Sequence, residues 1–367
     1  MISILIPLLC FAAAPMQSGQ SGQSGTVAIQ ARTIYLGDGR TIDRGILIVE
    51  EGKIRSVAPG ADLPSGVRLI QHPGAISPGF IAAHDQTSLG AEASDFTRPM
   101  LPGALAADAF DPKAKQLRLA ARAGVTTVLL APGVESLVGG QTAAVKSAGG
   151  RILLRNAHLA VSLSSAALRL DTPPTSPMGA IAALESELSA NSPVFADVKA
   201  GRLPVMIHAV QRHEILRSIE FATRNKLKGC IEGAPLAGEL ADSIKAAGLF
   251  VVLEPFTGGD SRREIRSALS LATAEVPFAF GLDVPAAGPD ALRLSAAMCL
   301  REGMQRKALE QALFVNAARI CGVGERVGLL ERGYDADFLL WSGDPLDLTS
   351  RLEAVYIDGV RVDTSKP

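Results

Sequence analysis

A repeating alternation in the middle of the chain constrains the fold more than any other feature. The stretch "KQLRLAARAGVTTVLLAPG" reads as an amphipathic helix stopped at Gly124, followed by a run of β-branched and apolar residues. Further on, "LPVMIHAV" is a short buried strand ahead of the helix "RHEILRSIEFATRNK". Next come the strand "LKGCIEGAP", the helix "AGELADSIKAAG", the strand "LFVVLEPF", the helix "SRREIRSALSLATAE", the strand "VPFAFGLD" and the helix "DALRLSAAMCLREG". Strands that are apolar throughout are buried on both faces, which is the condition of a parallel sheet covered by its own crossover helices. The extent, roughly 250 residues, suits a (β/α)8 barrel better than a small doubly wound sheet. One segment, "RILLRNAHLAVSLSSAALRLDTPPTSPMG", fits no clean unit, so the α/β barrel is expected to be distorted there.

The two ends have another rhythm. "VAIQARTIYLGDG", "GILIVEEGKIRSVAP" and "VRLIQHPGAISPGF" alternate apolar residues between turns rich in Gly, Asp and Pro, and "DADFLLWSGD" with "LEAVYIDGVRV" does the same near the C-terminus. The expectation is a composite β-sandwich built from residues 26–77 and 325–367, with the barrel, residues 78–324, inserted between them. Ahead of both, an apolar run from Ile2 to Ala14 and a Gln-Ser-Gly repeat read as a signal peptide over residues 1–16 and a flexible linker over 17–25. The run is too short to cross a bilayer as an ordinary helix. Export to the periplasm or medium is the expectation, with lipid anchoring at Cys10 as the alternative, which Leu9 fits poorly.

Charge excludes some partners. Acids and bases are interspersed and sum to −1, so there is neither a nucleic-acid footprint nor a polybasic membrane surface, and a small-molecule substrate fits better. A homodimer is the default assembly. Cys230, Cys299 and Cys321 lack CxxC spacing, are odd in number and sit among apolar residues, so they read as small buried hydrophobes.

In parallel barrels chemistry collects where strands end at their C-terminal edge. His84, Asp85 and Gln86 follow "PGFIAA", His208 follows "PVMI", Glu254 follows "VVL" and Asp283 follows "PFAFGL". Two imidazoles and a carboxylate from three strand ends suit one divalent ion such as zinc, which would acidify a bound water, with Asp283 taking its proton as general base. His72 reads as a turn residue before Pro73, His158 as part of an apolar segment and His213 as a surface residue of a helix.

These residues fall in longer patterns. "SPGFIAAHDQTSLG" resembles the "PGxIDxHxHxG" segment of the amidohydrolase superfamily, and "GERVGLLERGYDADFLLWSGDPLD" is similar to its tail. "LPVMIHAVQRHEI" resembles the "HAxxxxDI" strand and helix of the imidazolonepropionase-like branch, and "LREGMQRKALEQALFVNAARICGV" resembles the helices before the tail, where members carry "TxNPAxxxG". The resemblance implies a metal-dependent hydrolase of carbon–nitrogen bonds in cyclic amides, amidines or small peptides, with water activated at a one- or two-metal centre. By position it implies His84, His208 and Asp283 as metal ligands, with Asp283 also the catalytic proton shuttle. The departures are Gln86 in place of the second histidine of the pair and Glu232 where another histidine ligand is usual. Gln86, Glu232 and Glu254 are therefore candidate substitute ligands or pocket residues. Many relatives also carry a bridging lysine; Lys146 is the nearest candidate, although a solvated loop lysine is the expectation for it.

Two readings of function stay open at this point: an amidohydrolase-like enzyme with a degenerate metal set, and a catalytically inactive relative that binds a ligand or partner subunit. A serine hydrolase has no support, because there is no Gly-x-Ser-x-Gly elbow.

Overall fold

The computed structural model describes residues 25–363 except 96, 170, 171, 191 and 283–286. The signal and most of the linker, expected over residues 1–24, and Asp283 lie outside the described residues.

Alternating side chains in the end segments bring both ends of the chain into one eight-stranded sheet. The strand Leu69–Pro78 runs parallel to Val27–Tyr35 on one side and antiparallel to Phe338–Trp341 on the other, with Leu340 opposite Ile76. Ile29, Ile34, Leu47, Ile54, Ile76 and Phe338 form its buried face. His72 is not a turn residue: it lies within Leu69–Pro78, and its Nε2 meets the Trp341 carbonyl at 2.9 Å. Pro73 has no N–H for the ladder, and the strand absorbs it as an irregularity, pairing passing from Ala31–His72 to Thr33–Ala75.

The middle of the chain forms two further sheets. In the six-stranded one, Leu159–Ser162, Val205–His208, Gly229–Glu232, Phe250–Leu253 and Phe278–Phe280 are successive parallel neighbours, and Val138–Gln141 pairs antiparallel at the edge. The four-stranded sheet places Phe80–Asp85 parallel to Val125–Leu130, then Ala143–Lys146 and Ile152–Leu154 antiparallel. The expected irregularity therefore begins before "RILL", where the chain doubles back instead of crossing over through a helix. The sheets meet at two places. Val138–Gln141 passes into Ala143–Lys146 across Thr142, and the Leu282 N–H donates to the His84 carbonyl at 2.7 Å. The helices Arg212–Asn225, Ala241–Ala247, Arg262–Thr273 and Ala291–Arg301 follow the parallel strands and bury their apolar faces. The architecture is mixed α/β.

Met206, Cys230, Val252, Ala279, Ile81, Ala83 and Leu129 pack in one buried cluster between the two sheets. All three described cysteines are free and buried, and burial pushes their thiols up, Cys299 to about 12, so they are inert. His158 is buried beside the Thr142 hydroxyl, and burial pushes its imidazole down from 6.5 to about 4. The sign follows directly: the unfolded chain takes up a proton that the folded chain refuses. Stability is whole above 6.5 and is lost as pH falls from there to about 4. His158 is expected to account for up to about 3 kcal/mol over that window. Urea unfolding of wild type and His158→Asn across the window checks this; parallel curves for the two would refute it.

Candidate active site

Strand register lines up the polar groups of the six-stranded sheet. Ser162 lies opposite His208, His208 opposite Glu232, and Glu232 opposite Val252. Glu254, two residues beyond Val252, stands on the same face and roughly 7 Å further out towards the mouth.

His84 reaches this row through a break in its own strand. Along Phe80–Asp85 the side chains of Ile81 and Ala83 enter the inner cluster while Phe80 and Ala82 face the outer one. Continued alternation would turn His84 outwards. Pairing instead steps from Ala82–Val128 to Asp85–Leu130, three residues against two. The extra residue re-aims His84, and its Nδ1 comes within 3.6 Å of Glu232 Oε1. Asp85 is spent on the turn that follows. Its buried carboxylate accepts the Thr87 N–H at 2.9 Å, the Thr87 hydroxyl at 2.7 Å and the Ser88 hydroxyl.

Glu232 joins the two histidines. Its Oε2 lies 2.6 Å from His208 Nδ1, and the side chains of His84, His208 and Glu232 are 14%, 14% and 5% exposed. Burial alone would raise the Glu232 carboxyl, but the neighbouring His84 and the hydrogen bond from His208 outweigh it and hold the group below the usual carboxylate range. Burial likewise opposes charge on His208, yet Glu232, with Glu254 and Glu214 behind it, lifts that imidazole above its ordinary value. Both directions describe one imidazolium–carboxylate pair. Two glycines make room for it: a Cβ on Gly233, which has φ +73°, would sit 2.8 Å from the His208 ring, and one on Gly281 would sit 3.3 Å from His84 Cβ.

These groups line a cavity of about 260 Å³, together with Gln86, Glu254, Val134, Val210 and Leu282. Gln86 Oε1 is buried and has no hydrogen-bond partner. The structure thus brings together five residues singled out in the sequence, His84, His208, Gln86, Glu232 and Glu254. It does not bring Lys146. That side chain is fully buried at the end of Ala143–Lys146, opposite Thr127 and so at the sheet edge away from the mouth, and is neither a solvated loop lysine nor a wall of the cavity. Its ammonium pairs with Asp337, and reaches Asp335 at 3.2 Å and Asp358 at 3.4 Å. The reason is chemical: the "DAD" of the tail buries two carboxylates that need a cation, and the strand supplies it.

Glu214 was not singled out from the sequence. Its carboxylate accepts the N–H groups of Val210, Gln211 and Ser165, each at 2.9 Å, tying the turn after His208 to the turn after Leu159–Ser162. The acid three residues after Gln211 at a helix start was the available signal. Glu214→Ala orphans three donors and is expected to cost about 2–3 kcal/mol. Denaturant unfolding checks the figure, and a loss under about 0.5 kcal/mol, the level of an ordinary surface change, would show the clamp to be idle.

Residues 194–362 match the model of the amidohydrolase family. The chain is similar over 92% of its length to an amidohydrolase from Thermotoga maritima, with 25% identity, a TM-score of 0.82 and 99% of that chain covered. Phenylurea hydrolase B gives a TM-score of 0.64 at 16% identity over 93% of this chain and 97% of its own, and molinate hydrolase 0.62 at 15% over 94% and 96%, likenesses of fold. No curated protein matches the sequence. The family match and the shared fold place the chain in the amidohydrolase superfamily, among hydrolases acting on carbon–nitrogen bonds.

Proposed function

We propose that the protein hydrolyses a carbon–nitrogen bond other than an ordinary peptide bond, in a cyclic amide, amidine or small peptide-like molecule, using one divalent ion, zinc in first place. The observation that carries this is the convergence of His84, His208 and Glu232 on one cavity from three strand ends. Two imidazoles and a carboxylate are a donor set of catalytic zinc sites, and the orphaned Gln86 Oε1 is a further acceptor in the same wall. In kind, the residues fit an ion. As the side chains stand, Glu232 is turned onto both rings, and among the described residues no group of three His, Cys, Asp or Glu is spaced to hold a metal. To hold an ion together with His84 and His208, Glu232 would have to give up its bond to His208 Nδ1.

When bound, such an ion supplies Lewis acidity to the scissile group and acidifies water. The chain's own residues do the rest. Before an ion is bound Glu232 holds both imidazoles in the cavity wall, and Val134, Val210 and Leu282 keep bulk water from the reacting bond. Asp283 enters by its place after Phe278–Phe280, as the group that takes the proton from water. The proposal extends to a distorted (β/α)8 barrel of the imidazolonepropionase-like branch on a small β-sandwich, exported by its N-terminal segment and assembled as a homodimer.

The short His208–Glu232 bond favours a second reading, an inactive relative in which that pair neutralises itself and the cavity only binds. Metal analysis separates them. Protein purified without chelator is expected to take up about one equivalent of zinc or manganese, and His84→Ala, His208→Ala and Glu232→Ala to lose it. Folded wild type that takes up neither metal would leave the second reading standing.

A further inference from the structure

We infer that Gln86 is a specificity residue of the cavity: its side-chain oxygen accepts the N–H of the substrate's scissile amide. Molecules that keep an N–H at that nitrogen, cyclic amides in first place, are taken, and N-alkylated ones are disfavoured. The inference rests on the hydrolase reading for what becomes of the bound molecule, but not for its binding.

The fold does not use this amide. Gln86 lines the cavity with His84, His208 and Glu232, and its Oε1 is buried with no hydrogen-bond partner among the described residues. Gln86 stands at the N-cap of the turn Thr87–Ala93, where a side-chain oxygen ordinarily accepts a free N–H, yet it makes no cap bond. Asp85 has that work, taking the Thr87 N–H at 2.9 Å and the Ser88 hydroxyl. Buried oxygens in native proteins are nearly always paired, and one left open costs stability. An ion does not need it either. His84, His208 and Glu232 already supply the three protein donors of a catalytic zinc site, and an amide oxygen suits zinc less well than imidazole. What Oε1 lacks is a donor, and in an amide or amidine that donor is N–H. In a cyclic amide the C=O and N–H share one edge of the ring. A ring whose carbonyl faces His84 and His208 therefore carries its N–H along the same wall, towards the residue two places beyond His84. The Gln86 amide turns on a soft terminal torsion, so its oxygen swings to meet that N–H at little cost. A cavity of about 260 Å³ lies at the small end of ligand sites and suits a single small ring.

Three measurements test this on the full-length protein purified without chelator. The Kd of δ-valerolactam, N-methyl-δ-valerolactam and cyclohexanone, rings alike except at the donor, is followed by NMR. Wild type is expected to bind the first about tenfold more tightly than the other two. Gln86→Met keeps the length of the side chain and removes its oxygen, and should bind all three alike. Urea unfolding gives a readout that needs no ligand: loss of an unpaired buried oxygen leaves the midpoint of Gln86→Met unchanged or raised. Zinc uptake should also survive in that variant. Equal binding of the three rings by wild type, a preference that persists in Gln86→Met, a lowered midpoint, lost zinc uptake in the variant, or no binding of any ring overturns the inference. Zinc uptake by wild type with unselective binding sinks this inference and leaves the hydrolase reading; selective binding by a protein that takes up neither zinc nor manganese does the opposite.

Discussion

Replacing Lys146 by Met is expected to destabilise the protein by about 3–5 kcal/mol. Lys146, Asp335 and Asp337 are all buried, and the ammonium touches both carboxylates. Asp335 has other cations: Lys53 bonds it at 2.6 Å, Arg151 pairs with it and Arg326 lies at 3.6 Å. Among the described residues, Asp337 has Lys146 alone for a cation, besides the N–H of Asp358 at 2.9 Å. Methionine preserves the stem packing and removes the charge, so the penalty is that of a carboxylate stranded in low dielectric. Burial already raises the Asp337 carboxyl against the pull of Lys146, and the variant removes that pull. An acid whose folded pKa is raised contributes stability below that pKa and loses it as pH rises, so the cost of Lys146→Met should be largest near neutrality and shrink in acid. Urea unfolding with a double-mutant cycle through Asp337→Asn measures the coupling. The double variant is expected to recover most of the loss, and independent, additive effects would mean that the pair does not interact.

The other large effect lies at Glu232. Glu232→Gln is expected to lower kcat/KM about 100-fold, the scale on which groups that orient metal-site histidines act. It is also expected to move the His208 imidazole from above its ordinary value to below it. The second result follows from the balance at that ring, where burial disfavours the charged form and the Glu232 carboxylate overrides burial. An amide leaves burial opposed only by the weaker pull of Glu254 and Glu214. NMR titration of His208 reads the shift whether or not a substrate is in hand. A variant with an unmoved imidazole would show that the close carboxylate contributes no charge coupling and that Glu232 does not join the two histidines.

Much of this site was legible because strand ends are easy to find. An apolar run that stops at a polar residue marks the C-terminal edge of a buried strand, and that rule alone selected His84, His208 and Glu254, with Glu232 noted as a departure. The rule says nothing about direction. Alternation along Phe80–Asp85 points His84 the wrong way, and the irregular step opposite Val128–Leu130 that corrects it has no local signature. Lys146 failed for a related reason. Flanking glycines and polar neighbours resemble a loop, while the partners that bury it lie 189 and 191 residues away, at Asp335 and Asp337.

The set of elements, the α/β class and the identity of the polar residues at the strand ends can be read from the chain alone, because hydrophobic period and turn chemistry are local properties. Folding in three dimensions sets which of those residues share a cavity, that Glu232 bonds one histidine and lies in ion-pair range of the other, and that Lys146 holds the tail instead of a substrate. Those outcomes depend on register between strands far apart in the chain and on the charge that burial leaves to be neutralised, and neither is encoded in any one segment.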